Sequence, residues 1–192
     1  MYSLHEKGIY QSPWLKKIKS ILDNCGLSYI WHSDLTLITP SWLKNTLDQK
    51  LGDIFKQNWS GKVNASGSCA NYRIFKTNLN FEKYLVNLNQ RDRISLCKFR
   101  CGNNKLPITT GRYQKTEIHD RICTICKNSQ IGDEFHYILE CPTLDVERHM
   151  YLKPYYRIRG NTLKMNALMN SENSSEMSNL AKFCRCIMNK FE

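Results

Sequence analysis

The sequence is poor in acid. Only 17 Asp and Glu stand against 28 Lys and Arg in 192 residues, a formal net charge of +11. That excess favours an anionic partner, nucleic acid first, and is silent about fold. Long apolar runs are also missing. No stretch of 18 apolar residues occurs, so neither a membrane span nor a membrane partner is expected. Met1 to Tyr10 carries His5, Glu6 and Lys7 and no apolar segment, so a secretory signal is not expected.

Catalytic signatures are absent as well. There is no H-E-x-x-H, no G-x-x-x-x-G-K-S/T and no G-x-S-x-G. A zinc deaminase needs H-x-E ahead of P-C-x-x-C, and no H-x-E occurs. No two aspartates are adjacent, so the usual motif of a polymerase two-metal site cannot be assembled. No catalysis by the chain alone is expected.

What is present is an ordinary globular composition, 41% hydrophobic and 11% aromatic, with an unusual nine cysteines. Nine is odd, and a secreted disulfide framework would use an even number behind a signal peptide. The reading is a reducing intracellular compartment, nucleus or cytoplasm, where clustered cysteines serve as metal ligands and scattered ones as small core residues.

Apolar residues recur at helical spacing. Ser12 caps a first helix, Pro13 opens it and Gly26 ends it, with Trp14, Leu15, Ile18, Ile21 and Leu22 on one face. A second helix is expected after Pro40 with Ser41 as cap and Leu43, Leu47, Leu51, Ile54 and Phe55 as its stripe, fading near Ser60-Gly61. Ile74 to Leu88 is helical but broken around Asn78 to Asn80, and Arg91 to Arg100 forms another helix ended by Gly102. Ser171 to Ser178 reads as a polar linker before a short terminal helix. The fold class is mainly α: a bundle of amphipathic helices with a small CCHC zinc-binding element. The expected division is a helical region over 1–104, the zinc element with basic flanks over 105–160, and the linker with the terminal helix over 161–192.

The chemistry concentrates in Cys123-x2-Cys126-x9-His136-x4-Cys141, four soft or borderline donors within 19 residues. Thiolate sulfur and imidazole nitrogen are the ligands of tetrahedral zinc, and two residues between cysteines permit a tight turn that offers both sulfurs to one ion. Asp133 and Glu134 suit a helix start, with His136 in its first turn. Cys141 is then five residues on, beyond helical register, and Pro142 forces a bend that swings its sulfur back. His119 is a competing fourth ligand. Four protein ligands close the coordination sphere, so one structural Zn2+ is expected.

Charge gathers beside this cluster. Residues 91–127 hold nine of the basic side chains and only three acidic ones. Arg91, Arg93, Lys98, Arg100, Lys105, Arg112, Lys115 and Arg121 are the candidate phosphate contacts, with Lys127 adding charge. Tyr113 is placed among them to stack on unpaired bases, and Phe99 is weighted toward the core. Tyr155, Tyr156, Arg157 and Arg159 form a second basic-aromatic cluster.

From Tyr72 onward the sequence resembles the segment that follows the reverse transcriptase domain in non-LTR (LINE-type) retrotransposon proteins. Tyr72, Phe75 and Lys76 match Y-x-x-F-K, and Phe81, Glu82, Tyr84 and Leu85 match F-E-x-Y-L. Arg93, Leu96 and Arg100 match an arginine-rich helix, and Leu106-Pro107-Ile108 with Gly111-Arg112-Tyr113 match a turn ahead of the zinc element. Arg121, Cys123, Cys126, Asp133, Glu134, His136 and Cys141 match that element itself. Trp14 to Trp31 and Trp42 to Trp59 are similar more loosely. Thr109 and Gly132 depart from the pattern where acids are common. The resemblance implies a module that holds element RNA or target DNA during target-primed reverse transcription, with a reverse transcriptase domain outside this chain as a partner. The alternative from another class is a zinc-stapled protein-interaction module.

Overall fold

A computed structural model of the chain describes residues 12–126 and 128–191. The expectations for Met1 to Tyr10 and for Lys127 lie outside the described residues. The protein is predominantly helical, as its periodicity implies. Among the described residues there is no strand, and the only β-type pairing is an isolated antiparallel bridge between Ile122 and Ile131. No described helix is long and apolar enough to cross a membrane. The chain divides into two compact units, residues 1–61 and 62–192. The break falls well before residue 104: the Cys/His segment, the helix before it and the C-terminal residues belong to one unit.

The first unit opens with α1, Pro13–Asn24, whose N-cap position is Ser12. The chain leaves it through Gly26 at φ +68°, a left-handed turn that glycine adopts without a Cβ penalty. Leu22, Cys25, Leu27 and Ile30 are buried together, and Ile18, Ile21, Leu43, Leu47 and Ile54 pack on them. The last three come from α2, Pro40–Ala65. Its cap is Thr39, whose hydroxyl accepts the Trp42 amide at 3.4 Å, rather than the expected Ser41. Pro40 takes the first helical position, where a missing N–H costs nothing, and this sets the start two residues earlier. The helix also passes through Ser60-Gly61 and ends at Ala65.

The second unit is built around α5, Gln90–Arg100, and α10, Ser174–Asn189, which pack along each other. Two short pieces precede α5, α3 at Tyr72–Phe75 and α4 at Tyr84–Asn87, separated as the Asn78–Asn80 break implies. After α5 come α6 (Pro107–Tyr113), α7 (Asp145–Tyr151), α8 (Pro154–Arg157) and α9 (Thr162–Met169). Leu96 and Phe99 from α5 meet Leu180, Phe183, Cys184 and Ile187 from α10 in one core. Tyr137, Ile138 and Leu139 bring the metal-ligand segment into the same core.

The polar stretch at 171–178 is not a linker. Asn173 caps α10 by accepting the Glu176 amide at 3.0 Å, and Glu176 bonds back to the Ser171 hydroxyl. The polarity there is the chemistry of a helix start, which resembles linker composition when read alone. The helix that follows is central to the core.

One buried ion pair locks α5 to α10. Asp92 is 2% exposed and accepts from Arg185 at 2.7 Å, from Ser178 at 3.3 Å and from Asn89 at 2.9 Å. Burial works against its charge, but these donors prevail and hold the carboxyl below its ordinary range. A carboxylate depressed in the folded state adds stability that is present above its unfolded value near 4 and is lost as pH falls through the folded value. Asp92→Ala is therefore expected to cost roughly 3–5 kcal/mol in urea denaturation at pH 7. The gap between variant and wild type should narrow below about pH 4.

Candidate metal centre and its basic flank

Cys123 and Cys126 sit on a tight hairpin. The Cys123 amide donates to the Gln130 carbonyl at 2.7 Å, and the Gly132 amide donates to the Arg121 carbonyl at 2.8 Å. Inside the turn the Cys126 amide donates to the Cys123 sulfur at 3.4 Å. That bond fixes the two-residue spacing and partly satisfies the sulfur.

The second pair of donors comes from the turn expected at Asp133. Asp133 Oδ1 accepts the His136 amide at 2.8 Å, so the aspartate is the cap. Helix then widens to a π-turn over His136–Glu140, and the Cys141 amide closes on the His136 carbonyl at 2.7 Å. A π-turn places residues five apart in register. This answers the spacing problem directly: Cys141 lies over His136 because the helix is underwound at that one turn. Pro142 then holds Cys141 out of helical conformation, at ψ 116°.

The outcome is one cluster. The donor atoms of Cys123, Cys126, His136 and Cys141 all lie within 4.8 Å of one another, and Cys126 Sγ is 3.4 Å from His136 Nε2. Tetrahedral zinc with sulfur at about 2.3 Å and nitrogen at about 2.0 Å places its ligands roughly 3.5–3.8 Å apart. A contraction of about 1 Å or less brings the set to that geometry. His119, the competing ligand, is outside the group; its Nε2 lies beside Asp120 at 3.6 Å.

The electrostatics fit a cation. Burial lowers the His136 pKa, which favours the neutral imidazole that ligates metals. With Nε2 turned to the sulfurs, Nδ1 must carry the proton, and it is buried with no hydrogen-bond partner. The nearest carboxylate oxygen is Glu140 Oε2 at 3.9 Å, one small movement from the carboxylate–histidine pairing common behind metal ligands. Burial and the neighbouring Cys123 push the Cys141 thiol up to about 12. Burial also opposes ionisation of Cys123, but the Cys126 amide, Tyr137 and the Ile125 amide outweigh it and lower its value. Three thiols crowded this closely cannot all ionise without a positive ion between them.

Supporting residues complete the site, and most carry no local sequence signal. Arg148 is 3% exposed and donates to the carbonyls of Ile138 and Cys141, both at 2.8 Å, so it braces the π-turn from α7. A buried arginine is indistinguishable in sequence from a solvated one. Asn71 and Asn104 donate to the buried Glu134 at 2.8 and 2.9 Å, tying α3 and the loop after α5 to the same turn. Gly132 has no room for a side chain: an added Cβ would stand 2.8 Å from the Tyr137 hydroxyl and 3.1 Å from the Cys123 backbone. An acid at that position would not fit this packing.

The basic residues divide into free and committed. Arg91, Lys98, Lys105 and Lys115 are exposed. Lys98 and Lys105 line one hollow with Asn103, Asn104 and Met188. Tyr113 is 76% exposed, with the Arg112 guanidinium 5.1 Å from its ring centre. Arg93 gives one donor to the Leu85 carbonyl at 2.7 Å. Arg121 lies flat on Gly111 and donates to the carbonyls of Thr116 and Ile108, so it clamps α6 to the hairpin and has little left for a phosphate. Arg100 is a correction: at 4% exposure it cannot meet nucleic acid. It donates to the Met169 carbonyl at 2.5 Å, pairs with Glu82 at 3.1 Å and stacks on Phe75 and Tyr84. Phe99 is wholly buried.

No family model, no curated protein and no solved structure matches the chain.

Proposed function

We propose that the protein is a zinc-stabilised nucleic-acid-binding module, of the kind that follows the polymerase domain in non-LTR retrotransposon reverse transcriptases. The observation that carries it is the convergence of Cys123, Cys126, His136 and Cys141 on one centre, in a unit whose α5–α6 segment offers exposed cations. Zinc is the ion of choice because three thiolates and an imidazole are its preferred closed set. The ion staples the hairpin to the π-turn. The cations beside it meet phosphates, and Tyr113 stacks on an unpaired base. Chemistry on the nucleic acid falls to a polymerase domain acting with this one.

Five cations support the interface: Arg91, Lys98, Lys105, Arg112 and Lys115. A single strand held by that number gives a slope of log K against log salt of roughly 3 to 5 in magnitude. Fluorescence anisotropy with a labelled single-stranded oligonucleotide measures it. Lys98→Gln with Lys105→Gln is expected to lower the magnitude by about 1 to 2. Tyr113→Ala is expected to weaken binding by about 1–3 kcal/mol with the slope unchanged, since stacking releases no counterions. A slope near zero in the wild type rejects the reading.

A further inference from the structure

Behind the metal cluster the second unit carries a polar groove of about 630 Å³. It is lined by Asn128, Gln130, Glu140, Asp145, Arg157 and Arg159, with Arg148 at its base. Its size suits a nucleotide-sized segment rather than an isolated ion. The wall is shared with the π-turn, because Arg148 holds the Ile138 and Cys141 carbonyls.

The cations here are placed differently from those of α5 and α6. Arg157 spends Nε on the Leu152 carbonyl and Nη2 on the His149 carbonyl, which fixes its plane and leaves Nη1 toward other partners. Arg159 is exposed and makes no hydrogen bond or ion pair among the described residues. It is held at φ +46°, a left-handed conformation unusual for a residue with a Cβ, and Gly160 follows tight against Leu139 and Glu140. The groove also holds two carboxylates. Asp145 is drawn toward Arg148 at 3.4 Å and His149 at 3.5 Å, and Glu140, the last residue of the π-turn, lines the groove as well.

That mixture selects a ligand chemistry. A bare phosphate chain meets two available arginines, Arg157 and Arg159, but also two repelling carboxylates, while Arg148 is buried and committed to the π-turn. A strand carrying a hydroxyl on each sugar meets the same arginines with its phosphate and finds acceptors for its hydroxyls. Carboxylate acceptance of a ribose 2′-hydroxyl is a general means of recognising that sugar, and the 2′-hydroxyl is what separates RNA from DNA at a site. We propose that this groove binds the ribose-phosphate backbone of single-stranded RNA, with Arg157 and Arg159 on the phosphate and Asp145 and Glu140 on the 2′-hydroxyls. The inference rests on the nucleic-acid reading above and names the kind of strand.

The test uses the full zinc-loaded chain with RNA and DNA 12-mers of one sequence, followed by anisotropy at fixed salt. Wild type is expected to bind RNA at least fivefold more tightly than DNA. Arg159→Gln is expected to weaken RNA binding at least fivefold and to lower the magnitude of the salt slope by about 1. Asp145→Asn keeps an acceptor but removes the charge, and is expected to tighten DNA and close the gap between the two strands. Zinc content of both variants should equal that of wild type, which separates groove from fold. Equal RNA and DNA affinities in wild type, or unchanged RNA binding in Arg159→Gln while Lys98→Gln with Lys105→Gln still weakens it, overturns the groove and leaves the wider reading standing. Absence of binding to either strand at low salt overturns both.

Discussion

His136→Ala and Cys141→Ser are each expected to abolish stoichiometric metal and to unfold the unit spanning residues 62–191. The magnitude follows from two scales. Structural zinc in small domains contributes about 10–16 kcal/mol of apparent binding free energy at neutral pH. A domain of this size has about 5–15 kcal/mol of net stability. Losing the first removes most or all of the second. The packing explains why the loss spreads: Cys123, Cys141, Tyr137 and Ile138 are fully buried in the core formed by α5 and α10, so the ligands are core residues as well. Circular dichroism should show loss of cooperative melting, and a chelator added to the wild type should do the same. Cys69→Ser, a cysteine outside the cluster, should keep the metal and the transition. Retention of one metal ion in both ligand variants would overturn the assignment.

Arg100→Ala is expected to destabilise by roughly 3–5 kcal/mol, the cost of breaking a buried pair from one side. The side chain does several jobs at once. It joins α5 to the end of α9 through the Met169 carbonyl, pairs with Glu82, and fills the space over Phe75 and Tyr84. Burial opposes the Glu82 charge, and Lys76 with Arg100 restores it, holding that carboxyl below its usual range. Without Arg100, Lys76 at 2.8 Å is the remaining ion-pair partner of Glu82. Arg100→Lys keeps the charge but loses the planar fork, so it should recover only part of the deficit in urea denaturation. Where Arg100→Lys remains folded, its oligonucleotide affinity should equal that of wild type. Weaker binding by a folded Arg100→Lys would return this residue to the interface.

These two cases mark where the sequence was readable. The cluster of four donors was legible because donor type and spacing are local, and the helix opening at Pro13 and the stop at Gly102 are local too, although Ser12 stands at the N-cap position without a side-chain capping bond. The π-turn was not visible: residues five apart look out of register until the helix widens, and nothing in His136–Glu140 announces that. Arg100 was misread as a phosphate contact because a charge run is silent about which members turn inward. What turns Arg100 inward is Glu82, Phe75 and Met169, distant in sequence. The 171–178 stretch was misread for the opposite reason, since Asn, Ser and Glu serve caps and linkers alike. Unit boundaries were the least legible feature, because α2 runs without a break through the point where one core gives way to the next.

Zinc-edge X-ray absorption on the purified chain, with metal quantified in the same sample, tests the central claim most directly. The account predicts one zinc per chain, bound by three sulfurs at about 2.3 Å and one nitrogen at about 2.0–2.1 Å, with no water in the shell. A shell dominated by oxygen or nitrogen, or a folded chain with substoichiometric metal, would contradict it.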